Sequence, residues 1–143
     1  MIKAKHFDIR ELVPERIYRE RGQLAWELID PNLIRAIDRL RERYGLIIIN
    51  TWHSPKLVNA YGFRDQSGFR TREHYDTTEK YLSSLSQHKF GRAADCLPME
   101  TTAYQIRRDI LAHPEEFPDI TAVELDVPWL HIDTRNCDRI KSF

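Results

Sequence analysis

Residues 86–95 read SQHKFGRAAD, and the organisation of the chain can be worked outward from them. His88 and Asp95 stand seven residues apart, with Gly91, Ala93 and Ala94 between them. Imidazole nitrogen and carboxylate oxygen are both good ligands for Zn2+. The small residues let the backbone turn and pack close behind a metal. Two ligands do not make a catalytic site, because catalytic zinc takes three protein ligands and keeps one position open. His131, in WLHIDT at 129–134, is the natural third. That stretch alternates as a strand does, with His131 and Asp133 on one face and Leu130 and Ile132 on the other. Pro128, just before it, implies a break or an edge position.

The flanking segments predict an α+β domain. Residues 31–44 are the clearest helix: Asp30 can cap it, Pro31 suits its first position, and Gly45 stops it. Leu33, Ile37, Leu40 and Tyr44 recur at helical spacing, widened by Ile34 and Ala36. A shorter helix is expected from Pro14 to Gly22 and another around Leu24–Ile29. LIIIN, 46–50, is short, apolar and β-branched, which predicts a buried strand. Residues 51–85 read as a long polar and aromatic loop, with a short helix near 78–84. Unstructured loops longer than roughly 12–15 residues are uncommon and usually functional, so this one is expected to wall a site. Thr102 and Gln105 predict a capped helix over 102–113, ended by Pro114. ITAVELDV, 120–127, alternates well enough for a strand. Phe7, Leu12 and Val13 are expected to anchor the N-terminal segment.

Composition bounds the function classes. The chain has 143 residues, a size that suits one domain, 1–143. Hydrophobic residues make up 41%, too many for disorder. Lys plus Arg is 22 and Asp plus Glu is 22, so the net charge is zero. That argues against a bulk electrostatic grip on nucleic acid or an anionic membrane. Cys96 and Cys137 cannot build a disulfide framework and read as free thiols. Cys96 follows Asp95, and alternation points it away from a metal held there. No apolar run approaches the ~18 residues of a membrane span, and the N-terminus does not read as a signal peptide.

SQHKFGRAAD fits, position for position, the pattern Ser-x-His-x-x-Gly-x-Ala-x-Asp, and WLHIDTR resembles a companion Trp-x-His motif. Together they resemble the zinc peptidases of the M15 family. That family contains D-alanyl-D-alanine carboxypeptidases, D,D-dipeptidases and phage endolysins, and it shares its scaffold with the hedgehog signalling domain. The resemblance spans roughly residues 31–136 and implies a small antiparallel sheet with helices packed on one side. It implies Zn2+ held by His88, Asp95 and His131, and hydrolysis of an amide bond in peptidoglycan stem peptides. It also implies synthesis in the cytoplasm and action on a cell wall after release, as in phage lysis. Ser86 is expected to support the site by hydrogen bonding, Gln87 to line the cleft, and Asp133 to orient His131.

Two features depart from the family pattern. Many members carry a glutamate three residues before the last histidine, where this chain has Pro128. Metal-assisted hydrolysis needs a carboxylate to move the proton. Glu124 and Asp126 are the acids available, two apart, so one strand could point both to one face. Glu124 reaches further and comes first, with Asp126 second. By the same resemblance, His53 stands where the family's usual carboxylate-binding arginine is expected. A guanidinium pairs well with a carboxylate, and Arg64 is the preferred substitute, ahead of Arg70 and Arg72, because Tyr61, Gly62 and Phe63 suggest a shaped turn before it. His53 and His74 are candidate substrate or oxyanion groups, and Trp52 and Trp129 are cleft wall or core. The alternative to an enzyme is a non-catalytic metal-binding module on the same scaffold.

Overall fold

The computed structural model describes residues 1–138 and 140–143. Its five α-helices are α1 (Glu15–Arg21), α2 (Pro31–Tyr44), α3 (Pro55–Tyr61), α4 (Thr78–Ser83) and α5 (Ala103–Ala112). Its strands are β1 (Ile47–Ile48), β2 (Ala93–Pro98), β3 (Ala122–Val123), β4 (Leu130–Asp133) and β5 (Lys141–Ser142). They form one sheet in the order β1-β2-β4-β3-β5. The α+β class therefore holds. The pairs β1–β2, β2–β4 and β3–β4 are antiparallel as expected, whereas β5 joins β3 in parallel and makes the sheet mixed. No helix among the described residues is long and apolar enough to cross a membrane.

Helix α2 forms for the reasons legible in its sequence. Asp30 accepts from the Asn32 N–H at 2.7 Å, Pro31 opens the helix and Gly45 ends it. Its stripe of Leu33, Ile34, Ala36, Ile37 and Leu40 is buried. Helix α5 is capped by Thr102, which accepts from the Gln105 N–H at 3.1 Å, and it buries Ile106 and Ile110. Both helices pack against β2, and α5 also meets β4. Ala94, Cys96, Leu130 and Ile132 belong to the continuous apolar core these helices share. Alternation then leaves Asp95, His131 and Asp133 for the opposite face. One face of the sheet holds the fold and the other carries the polar groups.

Three segments depart from the sequence reading. The stretch 51–85 contains α3 as well as α4. Ser54 caps α3 by accepting from the Leu57 N–H at 3.3 Å, but this helix buries no residue, so it has no apolar period to reveal it. The loop around it is stitched to the core. Phe69 N–H donates to the Leu12 carbonyl at 2.8 Å, and Asp95 N–H donates to the Ser67 carbonyl at 2.7 Å. In the stretch 120–127, the expected strand stops at Val123. Asp126 then adopts a left-handed backbone, φ 58°, that no strand can continue. Last, β5 lies next to β3 although it is far from it in sequence.

Gly91 closes the turn that delivers β2. Its φ is +68°, and a Cβ there would stand 1.8 Å from the Leu28 carbonyl oxygen. Left-handed backbone alone costs an L-residue ~1–2 kcal/mol. Gly62, φ +80°, would place its Cβ in open space. Gly91→Ala, which meets a backbone oxygen as well as backbone strain, is therefore expected to lower the thermal midpoint by more than Gly62→Ala, whose cost is backbone strain alone. Equal midpoints in a thermal melt would contradict this account of the turn.

Candidate metal centre

The three expected ligands meet. His88 lies in a short 3-10 turn, Gln87–Phe90, which the left-handed Gly91 reverses into β2. Asp95 on β2 and His131 on β4 are direct register partners across the antiparallel pair. All three side chains are buried, and one ligand atom from each lies within 4.8 Å of the others. The two imidazole rings meet edge-on, 5.1 Å between centroids.

Hydrogen bonds decide which nitrogen of each ring faces the cluster. His88 Nδ1 is 2.8 Å from the Gly68 carbonyl oxygen, which accepts only, so the ring proton sits on Nδ1. Nε2 is left with a lone pair. It is buried and lacks a hydrogen-bond partner among the described residues, although Asp95 Oδ1 is 3.3 Å away. His131 Nε2 is 3.0 Å from Asp133 Oδ2, and its Nδ1 is 2.8 Å from Asp95 Oδ1. A neutral His131 that donates to Asp133 turns a second lone pair toward Asp95. Two lone pairs and a carboxylate oxygen then face one another with no hydrogen between them. A shared cation, either a proton or a metal ion, relieves that arrangement. Two imidazoles and one carboxylate form a donor set that suits zinc, so these residues fit the group.

The outer partners are themselves held. Asp133 is fully buried and receives Arg135 Nη2 at 2.6 Å and Nε at 2.8 Å. Burial opposes its charge, but the hydrogen bonds from Arg135 and His131 outweigh that and bring its pKa down to about 2. Asp95 is likewise desolvated, yet the hydrogen bond from a protonated His131 holds it well below the usual carboxylate range. Its second oxygen takes Arg70 Nη2 at 3.0 Å. Burial lowers the pKa of His88 and keeps it neutral. His131 is also buried, but Asp133 and Asp95 on its two sides raise its pKa to about 9. With no metal beside it, the cluster thus traps a proton on His131.

A cavity of about 320 Å3 opens beside the ligands. Glu124 borders it, with Oε2 3.9 Å from His131 Nδ1. Glu124 stays near because its N–H donates to the His131 carbonyl at 3.3 Å, just past the end of β3. Asp126 does not join it; the left-handed turn sends it to an exposed groove against Tyr104 and Leu111. Ser86 and Gln87 line the cavity, but the hydrogen bond that orients His88 comes from Gly68 rather than Ser86. Asp133 orients His131, as expected.

Arg64 donates from Nε to the Ile49 carbonyl at 3.1 Å and borders a second cavity of about 340 Å3, which Asp95 and His74 also line. Arg70 approaches the ligands more closely than Arg64 does, through its bond to Asp95. Arg72 turns back to Tyr75 and Thr78. His53 packs edge-on against Trp52 and lines neither cavity. Trp52 donates to the Val13 carbonyl at 2.8 Å and serves packing, whereas Trp129 borders both cavities. Cys96 lies in the core, where burial pushes its thiol pKa up.

Sequence reasoning missed three contributors. Arg135 continues the His131, Asp133 alternation by one more step, a signal that was available. Phe143 stands edge-on to His131, 5.5 Å between centroids, by a parallel pairing that no local pattern announces. Segment 67–70 embraces both ligands of the first motif. Ser67 accepts from Asp95, Gly68 accepts from His88, and Arg70 N–H donates to the His88 carbonyl at 3.1 Å.

Comparisons with protein-family models, with curated proteins and with solved structures gave no match to this chain. The geometry of the cluster and the sequence motifs are what bear on its chemistry.

The cluster is expected to bind one divalent metal ion per chain, with zinc the ion used to test it, and to release the His131 proton as it does so. Because that proton competes, affinity should rise with pH up to about 9 and level off above it. Calorimetry in two buffers of different ionisation heat counts the proton. Uptake with no proton released at pH 7 would contradict the geometry. Asp133→Asn should weaken zinc binding by roughly 10–100-fold, the usual effect of losing a ligand's orienting partner. An unchanged affinity would remove Asp133 from the site.

Proposed function

We propose that this protein is a zinc-dependent hydrolase of amide bonds, acting on peptidoglycan stem peptides. The observation that carries the reading is the convergence of His88 Nε2, His131 Nδ1 and an Asp95 oxygen beside an open cavity that also holds a carboxylate. His88, Asp95 and His131 would hold the metal. Bound zinc supplies Lewis acidity, which polarises a carbonyl and makes water nucleophilic at neutral pH.

The remaining work falls to the chain's own groups. Glu124 lines the cavity within reach of the ligands and is only partly exposed. It takes a proton from the attacking water and returns it to the amide nitrogen as the C–N bond breaks. Water adds its oxygen to the carbonyl carbon, so the products are a carboxylic acid and an amine, with no covalent enzyme intermediate. Asp133 and Arg135 keep the His131 ring fixed while charge moves. Arg70 holds the outer oxygen of Asp95. Trp129 and Phe143 contribute apolar surface to the cavity wall.

The choice of stem peptides as substrate, and of zinc as the metal, rests on the resemblance of SQHKFGRAAD and WLHID to the M15 peptidases. Action on a cell wall is part of the same reading. Nucleic acid is disfavoured by the zero net charge and by the carboxylate partners of Arg70 and Arg135.

The test is incubation of purified peptidoglycan with zinc-loaded protein, followed by mass analysis of released peptides. Wild type should release them. Glu124→Gln should keep its zinc and lose roughly 10²–10⁴-fold in turnover, and His88→Ala should lose both zinc and activity. Stoichiometric zinc with no hydrolysis of peptidoglycan or of synthetic stem peptides would overturn the enzyme and leave a metal-binding module.

A further inference from the structure

The three ligands are almost shut off from solvent: His88 is 1%, Asp95 8% and His131 6% exposed. An ion reaches them only as fast as the wall around them lets it through. Most of that wall cannot give way without disturbing the site. Gln87 belongs to the turn that presents His88, and Trp129 leads directly into β4 and His131. Arg70 is bonded to Asp95, and Arg135 to Asp133.

Strand β5 is different. It carries no ligand and no hydrogen-bonding partner of a ligand's side chain. Both of its residues are exposed, and it lies at the edge of the sheet, paired only with β3, which is itself two residues long. Segments with few buried contacts open locally while the rest of a fold stays shut. Yet this loosely held strand places a side chain at the cavity. Phe143 borders it, and the ring stands edge-on to His131, 5.5 Å between centroids, with the Arg135 guanidinium over it at 4.7 Å. The backbone of Phe143 is engaged as well. Its N–H donates to the Val123 carbonyl at 3.1 Å, and its carbonyl accepts from the Leu125 N–H at 2.5 Å. Those two bonds fall on either side of Glu124. One further bond, from the Lys141 N–H to the Thr121 carbonyl at 2.8 Å, holds the start of the strand.

We infer that β5 is a gate on the metal cavity. Seated, it lays the Phe143 ring against His131 and fixes the backbone on both sides of Glu124. Lifted from β3, it clears a way for the ion while all three ligands keep their places. The inference rests on the reading that His88, Asp95 and His131 hold a divalent ion, and it is independent of the hydrolase reading. A gate of this kind acts on rates. Entry and loss of the ion both pass through the open state, so loosening β5 speeds both by one factor. Affinity stays the same, because the gate does not favour the loaded or the empty site.

The experiment compares wild type, Phe143→Ala and Lys141→Pro. It measures zinc uptake by stopped flow, zinc loss to excess chromophoric chelator, and equilibrium affinity by competition. Phe143→Ala removes the ring contact. Lys141→Pro removes the N–H that bonds Thr121 and leaves the ring in place. Both variants are expected to take up and to lose zinc roughly 2- to 10-fold faster, the effect of one aromatic contact or one hydrogen bond. Their affinity should stay within about twofold of wild type. Amide hydrogen exchange of the unaltered protein gives a second reading. The Leu125 and Phe143 N–H groups should exchange at least roughly tenfold faster than the Asp95 N–H, which is bonded within the core of the fold. Unchanged rates in both variants, faster loss with weaker affinity and no faster uptake, or equal protection of the Leu125 and Asp95 amides would overturn the gate. Failure of wild type to take up zinc would overturn it together with the metal centre. Faster uptake and loss in both variants, with peptidoglycan left intact by the zinc-loaded protein, would uphold the gate and sink the hydrolase reading.

Discussion

Two histidines whose outer nitrogens are already engaged turn their inner nitrogens toward one carboxylate. The Gly68 carbonyl takes His88 Nδ1, and Asp133 takes His131 Nε2. What remains is a set of electron pairs that repel one another unless a positive charge sits among them. Burial sharpens the demand, since little water reaches the cluster to screen it. The rest of the molecule serves this constraint. The β2–β4 register sets Asp95 opposite His131, the left-handed Gly91 swings His88 into line, and segment 67–70 braces both from behind.

The division of labour across the sheet explains how so small a fold tolerates the arrangement. On one face, Ala94, Cys96, Leu130 and Ile132 share the apolar core on which α2 and α5 pack. On the other, each buried charge has a partner: Asp95 has Arg70, and Asp133 has Arg135. A buried carboxylate without such a partner would be strongly destabilising. Here the partners also hold the ligands in place, so stability and site geometry draw on the same bonds.

Much of this was legible in the sequence because it depends on local rules. Capping and periodicity are short-range, so α2 and α5 could be read almost to the residue. Alternation in WLHIDT put His131 and Asp133 on one face and the apolar residues on the other, as observed. Failures fall where long-range contacts decide. Helix α3 has a serine cap and a proline start but no buried face, so periodicity was silent. Glu124 and Asp126 looked like neighbours on one strand face, yet the strand ends at Val123 and the left-handed backbone of Asp126 turns it away from the ligands. Arg70 and Phe143 reach the ligands through contacts between distant segments that no local pattern encodes. His53, by contrast, looked close in sequence to the central strand and turned out to pack on Trp52.

The central claim is that a single metal ion sits among His88, Asp95 and His131, and X-ray absorption of the zinc-loaded protein tests it most directly. The account predicts one ion per chain whose spectrum carries the scattering of two imidazoles, with the remaining ligands oxygen and no sulfur. A spectrum without imidazole scattering, or one requiring a thiolate, would contradict it.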